Sequence, residues 1–213
     1  MKIKIKNALI SVSDKNDLES VLKVMKKYNI NIISSGGTYK TIISKGFKCK
    51  EISKYTGFEE MLDGRVKTLH PKIHAGILHD RKNKKHLNEM KNNKFPPIDL
   101  IIVNFYPFQN YVRSKTSDTK IIENIDIGGP TLVRSAAKNF KNVLIITQKT
   151  DYKNLINELN KNKGYINQSF RELMASKAFS LTSYYDSMIS HWFNNKTKVK
   201  FPERKTFFGK IFA

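Results

Sequence analysis

Short apolar runs along this chain alternate with longer stretches whose apolar residues recur about one helical turn apart. ALISVS, Ala8 to Ser13, reads as a strand, and the next stretch, Asn16 to Tyr28, carries Leu18, Val21, Leu22, Val24 and Met25 on one helical face. Asp14 between them reads as the helix N-cap. NIISSGGTYKTIISKGF repeats the scheme: a strand from Ile30 to Ser34, a Gly-Gly turn, and a short helix closed by Gly46. FKCKEIS adds a third strand that includes Cys49, and His86 to Lys94 reads as a helix. The run from Leu100 to Val103 has proline on both sides and predicts a strand buried on both faces of a parallel sheet.

A second Gly-Gly turn leads into a helix at Thr131 to Asn139, followed by the strand NVLIIT and the helix YKNLINELN. Phe170 to Phe193 predicts a long amphipathic helix. DGRVKTLHPKIHAGIL, Asp63 to Leu78, keeps neither period over its length and is expected to be a loop. Strands alternating with helices predict an α/β fold in three layers, a mostly parallel sheet flanked by helices.

Length and composition fit one well-buried core: 213 residues, 39% hydrophobic and 11% aromatic. The formal charge of +21 would ordinarily suggest a polyanion partner. Only six of the 39 basic residues are arginine, however, and the lysines are scattered along the chain rather than grouped beside aromatics. The abundance of Lys, Asn and Ile, whose codons are A/T-rich, accounts for the charge without a specific nucleic-acid partner. Cys49 is the single cysteine, which excludes an intramolecular disulfide and favours a cytoplasmic setting. No apolar window approaches a membrane span, so no membrane partner is expected.

Ligands of parallel α/β sheets sit at the carboxyl ends of the strands, which directs attention to the turns SVSDK, SSGGT, NFYP and DIGGP. SSGGT offers two glycines, hydroxyls and a helix start, suited to a single phosphate; it lacks the GK[ST] of a Walker loop. Ser13 and Lys15 would face the same phosphate. Asp126 precedes the second Gly-Gly turn and Lys138 lies further along its helix, so the two form either a salt bridge or a proton-transfer pair. Asn104 and Tyr106 stand at the mouth of the central strand, and Arg65 and Lys67 suit anion binding. His70 and His74 are four apart, but Pro71 separates them and no HExxH or cysteine accompanies them, so no metal is expected.

SVSDK, SSGGT, TGFEEMLDGRVKTLHPKIHAGIL, NFYPF, IDIGGPTLVRSAAKN and SKAFSLTSYYD together resemble, in this order, the IMP cyclohydrolase domain of the bifunctional purine biosynthesis enzyme. The resemblance runs from about Ala8 to Phe193. It implies a methylglyoxal-synthase-like, Rossmann-like fold with a long C-terminal helix, and closure of the formamido-imidazole carboxamide ribonucleotide FAICAR to IMP with loss of water, without cofactor or metal. The implied catalytic set is Lys67, Tyr106, Asp126 and Lys138. Substrate contacts are implied at Ser11, Ser13, Asp14, Lys15, Ser35, Gly36, Gly37, Thr38, Arg65, Val66, Thr68, Val103, Asn104, Ile127 and Gly128. Within that set Ser13, Lys15 and SSGGT would hold the 5′-phosphate, Arg65 and Thr68 would close the site, and Asn104 would touch the base. Lys67 with Tyr106 would serve the carboxamide, and Lys138 with Asp126 the formyl oxygen. His70 reads as an orienting residue, Lys72 and His74 as solvated or structural.

The resemblance further implies a homodimer and a division into the cyclohydrolase domain, 1–196, and a linker stub, 197–213, leading toward a transformylase domain in the longer family members. Folate-dependent formyl transfer is expected to be absent from this chain, which reads as a domain or a truncated product. The alternatives are a nucleotide-sensing regulatory module of the same fold, a methylglyoxal synthase using Asp and His groups, and a basic nucleic-acid-binding protein.

Overall fold

The computed structural model describes residues 1–114 and 116–199, together with Pro202, Arg204, Thr206 and Gly209. Its first half runs β1 (Lys2–Lys4), β2 (Asn7–Val12), α1 (Leu18–Lys27), β3 (Asn31–Ser34), α2 (Gly36–Ser44), β4 (Lys50–Glu51), α3 (Ile52–Thr56), a 3-10 turn (Leu62–Gly64), α4 (Pro71–Leu78) and α5 (Lys84–Asn92). The second half runs β5 (Leu100–Asn104), α6 (Phe108–Arg113), α7 (Asp118–Glu123), α8 (Gly128–Lys138), β6 (Leu144–Ile146), a 3-10 turn (Lys149–Asp151), α9 (Tyr152–Lys161), β7 (Tyr165–Asn167) and α10 (Gln168–Lys196). The tail assigned to a linker, 197–213, lies mostly outside the described residues.

Five strands form one sheet in the order β4-β3-β2-β5-β6, every pairing parallel. From β2 the chain steps to β3 and β4, then returns to the other side of β2 with β5 and β6. Right-handed crossovers running in opposite directions put α1 and α8 on opposite faces of the sheet. The reversal makes the carboxyl ends of β2 and β5 the switch point where a crevice opens. Register fixes what stands there: Ser11 pairs with Val103 and Val12 with Asn104.

The core is aliphatic and continuous. Ala8, Leu9 and Ile10 of β2, and Leu100, Ile101, Ile102 and Val103 of β5, are all buried, as expected for strands covered on both faces. The five apolar residues of α1 are buried as its period predicts. A second cluster of Phe108, Ile121 and Tyr185 docks α6 and α7 onto the far part of α10.

Three local expectations are corrected, and one pairing is new. Asp14 does not cap α1: its carboxylate accepts the Asn16 N–H at 2.9 Å in a local turn and pairs with Lys149 at 3.0 Å, while Asp17 stands at the N-cap. The third strand shrinks to Lys50–Glu51, because the chain turns into α3 immediately afterwards. The supposed loop contains α4, started by Pro71 with the His70 side chain accepting the Lys72 N–H at 3.1 Å. Two buried isoleucines, Ile73 and Ile77, are too few for a visible period. The helix is held instead by Asn139, the residue that follows α8, which donates to the carbonyls of Ile77 and His79. Finally, β1 pairs antiparallel with β7, setting Lys2 beside Asn167 and Lys4 beside Tyr165 through strands of three residues each, a pairing with too little pattern to read locally. Among the described residues no helix is long and apolar enough to cross a membrane.

Candidate active site

The crevice at the ends of β2 and β5 holds a cavity of about 960 Å³, within the range of small-molecule sites. Four turns converge on it, contributing Ser11, Ser13 and Lys15; Ser35, Gly37 and Thr38; Val103, Asn104 and Tyr106; and Asp126, Ile127 and Gly128. Arg65, Lys67 and Thr68 close it from the stretch before α4.

One end is built for an anion. Ser35, in extended conformation, precedes α2 and makes no side-chain cap bond, so the first-turn N–H groups remain open to a ligand. Lys67 Nζ lies 3.4 Å from where a Cβ on Gly36 would stand, and Lys15 Nζ 3.8 Å from that of Gly37. Two ammonium groups gathered over a helix N-terminus repel each other and its dipole, an arrangement that a bound phosphate would stabilise.

Several hydroxyl and amide groups assigned to substrate are committed to the protein. Thr38 Oγ1 accepts the Val12 N–H at 3.1 Å and donates to the Val12 carbonyl at 2.9 Å. Asn104 Oδ1 accepts from the Ser13 N–H at 2.6 Å, the Ser13 hydroxyl at 2.8 Å and the Asp14 N–H at 3.2 Å, and its Nδ2 donates to the Asp14 carbonyl. These residues therefore clamp the turn after β2, leaving Asn104 one amide hydrogen for a ligand. Asp14, Gly36 and Val66 are not among the residues that line the cavity.

At the other end, Asp126 is half-buried. Its Oδ1 accepts the Gly129 N–H at 2.8 Å, and the Asp126 N–H donates to the Tyr185 hydroxyl oxygen at 2.8 Å. Burial raises its carboxyl above the ordinary 3.8, opposed by hydrogen bonds from the Gly129 and Tyr106 backbone and by the Lys67 charge. The Tyr106 phenol is raised by burial, by Asp126 and by Tyr111, so it stays protonated and able to donate. The Gly-Gly pair has a steric reason: a Cβ on Gly129 would overlap the Asp126 carboxylate, and one on Gly128 would lie 2.5 Å from Thr68 Oγ1.

Lys138 is not brought to this cavity. It is exposed at the end of α8, ten residues from the helix start, about 15 Å along the axis. It borders a separate depression of about 610 Å³ with Arg134, Phe140 and Phe179. The spacing-based pairing of Asp126 with Lys138 does not form within the chain, and Lys67 is the lysine whose charge acts on Asp126. Sequence reading missed Glu123, which ion-pairs with Arg65, Glu60, which faces Lys67, and Tyr185; only folding brings them to the site. Among the described residues no three His, Cys, Asp or Glu side chains gather to hold a metal; His74 Nδ1 lies 3.2 Å from the Ser135 hydroxyl. Burial, aided by Glu51, pushes the Cys49 thiol up to about 12, far from the thiolate a nucleophile needs.

Residues 17–131 match the family described as MGS-like domain, and residues 136–211 the AICARFT/IMPCHase bienzyme. The chain is 44% identical over 208 residues to the bifunctional purine biosynthesis protein PurH of Bradyrhizobium diazoefficiens, covering 98% of this chain and 39% of the relative. It is 45% identical to the PurH of Leptospira biflexa, covering 96% of this chain and 40% of that one. The chain thus spans about two fifths of the length of the curated relatives it matches. Among solved structures, the one titled crystal structure of ForH superposes with a TM-score of 0.75 at 29% identity, covering 89% of this chain and 99% of the other. With a match that spans more than half of its length, the chain belongs to the MGS-like domain family.

Proposed function

We propose that this chain is an IMP cyclohydrolase, closing FAICAR to IMP with release of water. The observation that carries the reading is one cavity with an anion-binding helix start under two lysines at one end and Asp126 with Tyr106 at the other. A ribonucleotide has the matching polarity, a phosphate at one end and a reacting base at the other. The bienzyme match and the PurH relatives support the same reaction.

Ring closure joins the carboxamide nitrogen to the formyl carbon. The carboxamide nitrogen gives up one hydrogen and the formamido nitrogen a second, and both leave with the formyl oxygen as water. The site must accept protons from nitrogen and deliver them to oxygen. Asp126, whose proton affinity is raised chiefly by burial, suits the accepting role; the Tyr106 hydroxyl and the Lys67 ammonium suit donation and stabilisation of the developing oxyanion. Both reacting groups sit on one ring, so holding them coplanar supplies much of the rate. No step requires a cofactor or metal.

The test is ultraviolet absorbance of the protein with FAICAR in metal-free, folate-free buffer, alongside Lys67→Ala. Conversion by the wild type and its loss in the variant support the reading. Saturable nucleotide binding without conversion would favour a sensing module of the same fold. Lys138→Ala belongs in the same assay: unchanged turnover removes Lys138 from the catalytic set, and loss brings it in from outside its own chain's cavity. A homodimer and a linker role for 197–213 are proposals carried by the family, and light scattering measures the first.

A further inference from the structure

Lys67 carries a charge into a neighbourhood that repels it: the positive end of α2, Lys15 and Arg65 all stand nearby. Its Nζ is nevertheless seated between two glycines, 3.4 Å from the Cβ position of Gly36 and 3.3 Å from that of Gly64. Glu60, on the stretch between α3 and the first 3-10 turn, places Oε1 4.0 Å from the same Nζ. Gly64 has φ +81, and a Cβ there would overlap Glu60 Oε1 and lie 3.1 Å from Cδ. The bare glycine is what lets this carboxylate cross the chain and reach the lysine. Glu60 is not among the residues that line the cavity, whereas Asp126, on which the Lys67 charge also acts, is.

We propose that Glu60 is a positioning residue for Lys67. Its carboxylate holds the ammonium over the anion end before nucleotide enters and keeps it aimed while the base reacts. This rests on the cyclohydrolase reading for its catalytic consequence, though the pairing stands on geometry. Glu60→Gln keeps the shape of the side chain and removes its charge; Glu60→Asp keeps the charge on a shorter arm.

The experiment is a double-variant cycle of Glu60→Gln with Lys67→Met, the Glu60 single variants being read by FAICAR turnover and the cycle by IMP affinity and urea unfolding. Glu60→Gln should lower kcat about tenfold with KM changed less than about threefold, Glu60→Asp should recover part of the loss, and in the Lys67→Met background Glu60→Gln should change IMP affinity little further. The urea midpoints of single and double variants should be non-additive. Unchanged kcat in Glu60→Gln, or the same loss of IMP affinity with and without Lys67, would overturn the proposal. Were the wild type not to convert FAICAR, the cyclohydrolase reading would fall, and additive midpoints would then overturn the pairing separately.

Discussion

Arg65 Nη2 lies 2.5 Å from Oε2 of Glu123, joining the stretch before α4 to α7 across two walls of the cavity. Both side chains are more than half exposed, at 64% and 57%. An exposed pair of this kind contributes about 0.2–1 kcal/mol, so an incoming nucleotide phosphate can displace Glu123 from Arg65.

Glu123→Gln should therefore release Arg65 and tighten IMP binding by up to about fivefold, the equivalent of about 1 kcal/mol. Arg65→Ala should weaken it. Isothermal titration with IMP measures both, and unchanged or weaker binding by Glu123→Gln would show that the pair does not compete with the ligand.

Asp126 predicts a pH signature in activity. Its carboxyl is raised, chiefly by burial, so turnover that needs the carboxylate should decline on acidification at a pH above the ordinary range of an aspartate. Asp126→Asn should lose at least about a hundredfold in kcat. A kcat–pH profile of the wild type locates the acid limb.

The same group predicts a stability trend. The folded state binds the Asp126 proton more tightly than the unfolded chain does, because the folded value lies above 3.8. Its contribution is favourable below that unfolded value and is lost as pH rises through the folded one. Relative to the wild type, Asp126→Asn should thus gain stability between about pH 4 and pH 7, a trend that follows from the raised carboxyl and that urea unfolding at several pH values measures.

Tyr185 ties the long helix to the site through the Asp126 N–H. Tyr185→Phe keeps the ring among Phe105 and Phe108 and removes only the acceptor. The expected cost is about 1 kcal/mol, seen in the urea midpoint, with a fall in kcat as Asp126 loosens. A loss in stability without any change in kcat would confine the bond to a structural role.

Thr38 predicts a stability effect where a binding effect was expected. Its hydroxyl both accepts from and donates to Val12 in a buried setting. Thr38→Val leaves two backbone groups of β2 unpartnered at a cost of roughly 1–3 kcal/mol each, measured by urea unfolding.

What the sequence by itself determined is what short-range chemistry dictates. The period of α1, the apolar runs of β2, β5 and β6, and the two Gly-Gly helix starts are legible because burial imposes a spacing within a few residues. Those starts also pointed to an anion site, since open N–H groups at a helix N-terminus attract negative charge in any fold.

Only the tertiary structure decided which side chains share the cavity. The return of β5 to the free side of β2 sets Val12 beside Asn104, so that Asn104 clamps a turn 90 residues away. The same folding replaces Lys138 by Lys67 as the lysine acting on Asp126, because ten helical residues carry Lys138 out of the crevice while the stretch before α4 folds across it. Glu60, Glu123 and Tyr185 carry no local mark of their roles. Their partners lie 7, 58 and 59 positions away and are reached through a glycine, a rim and a long helix; the last two contacts exist only once distant elements have packed together.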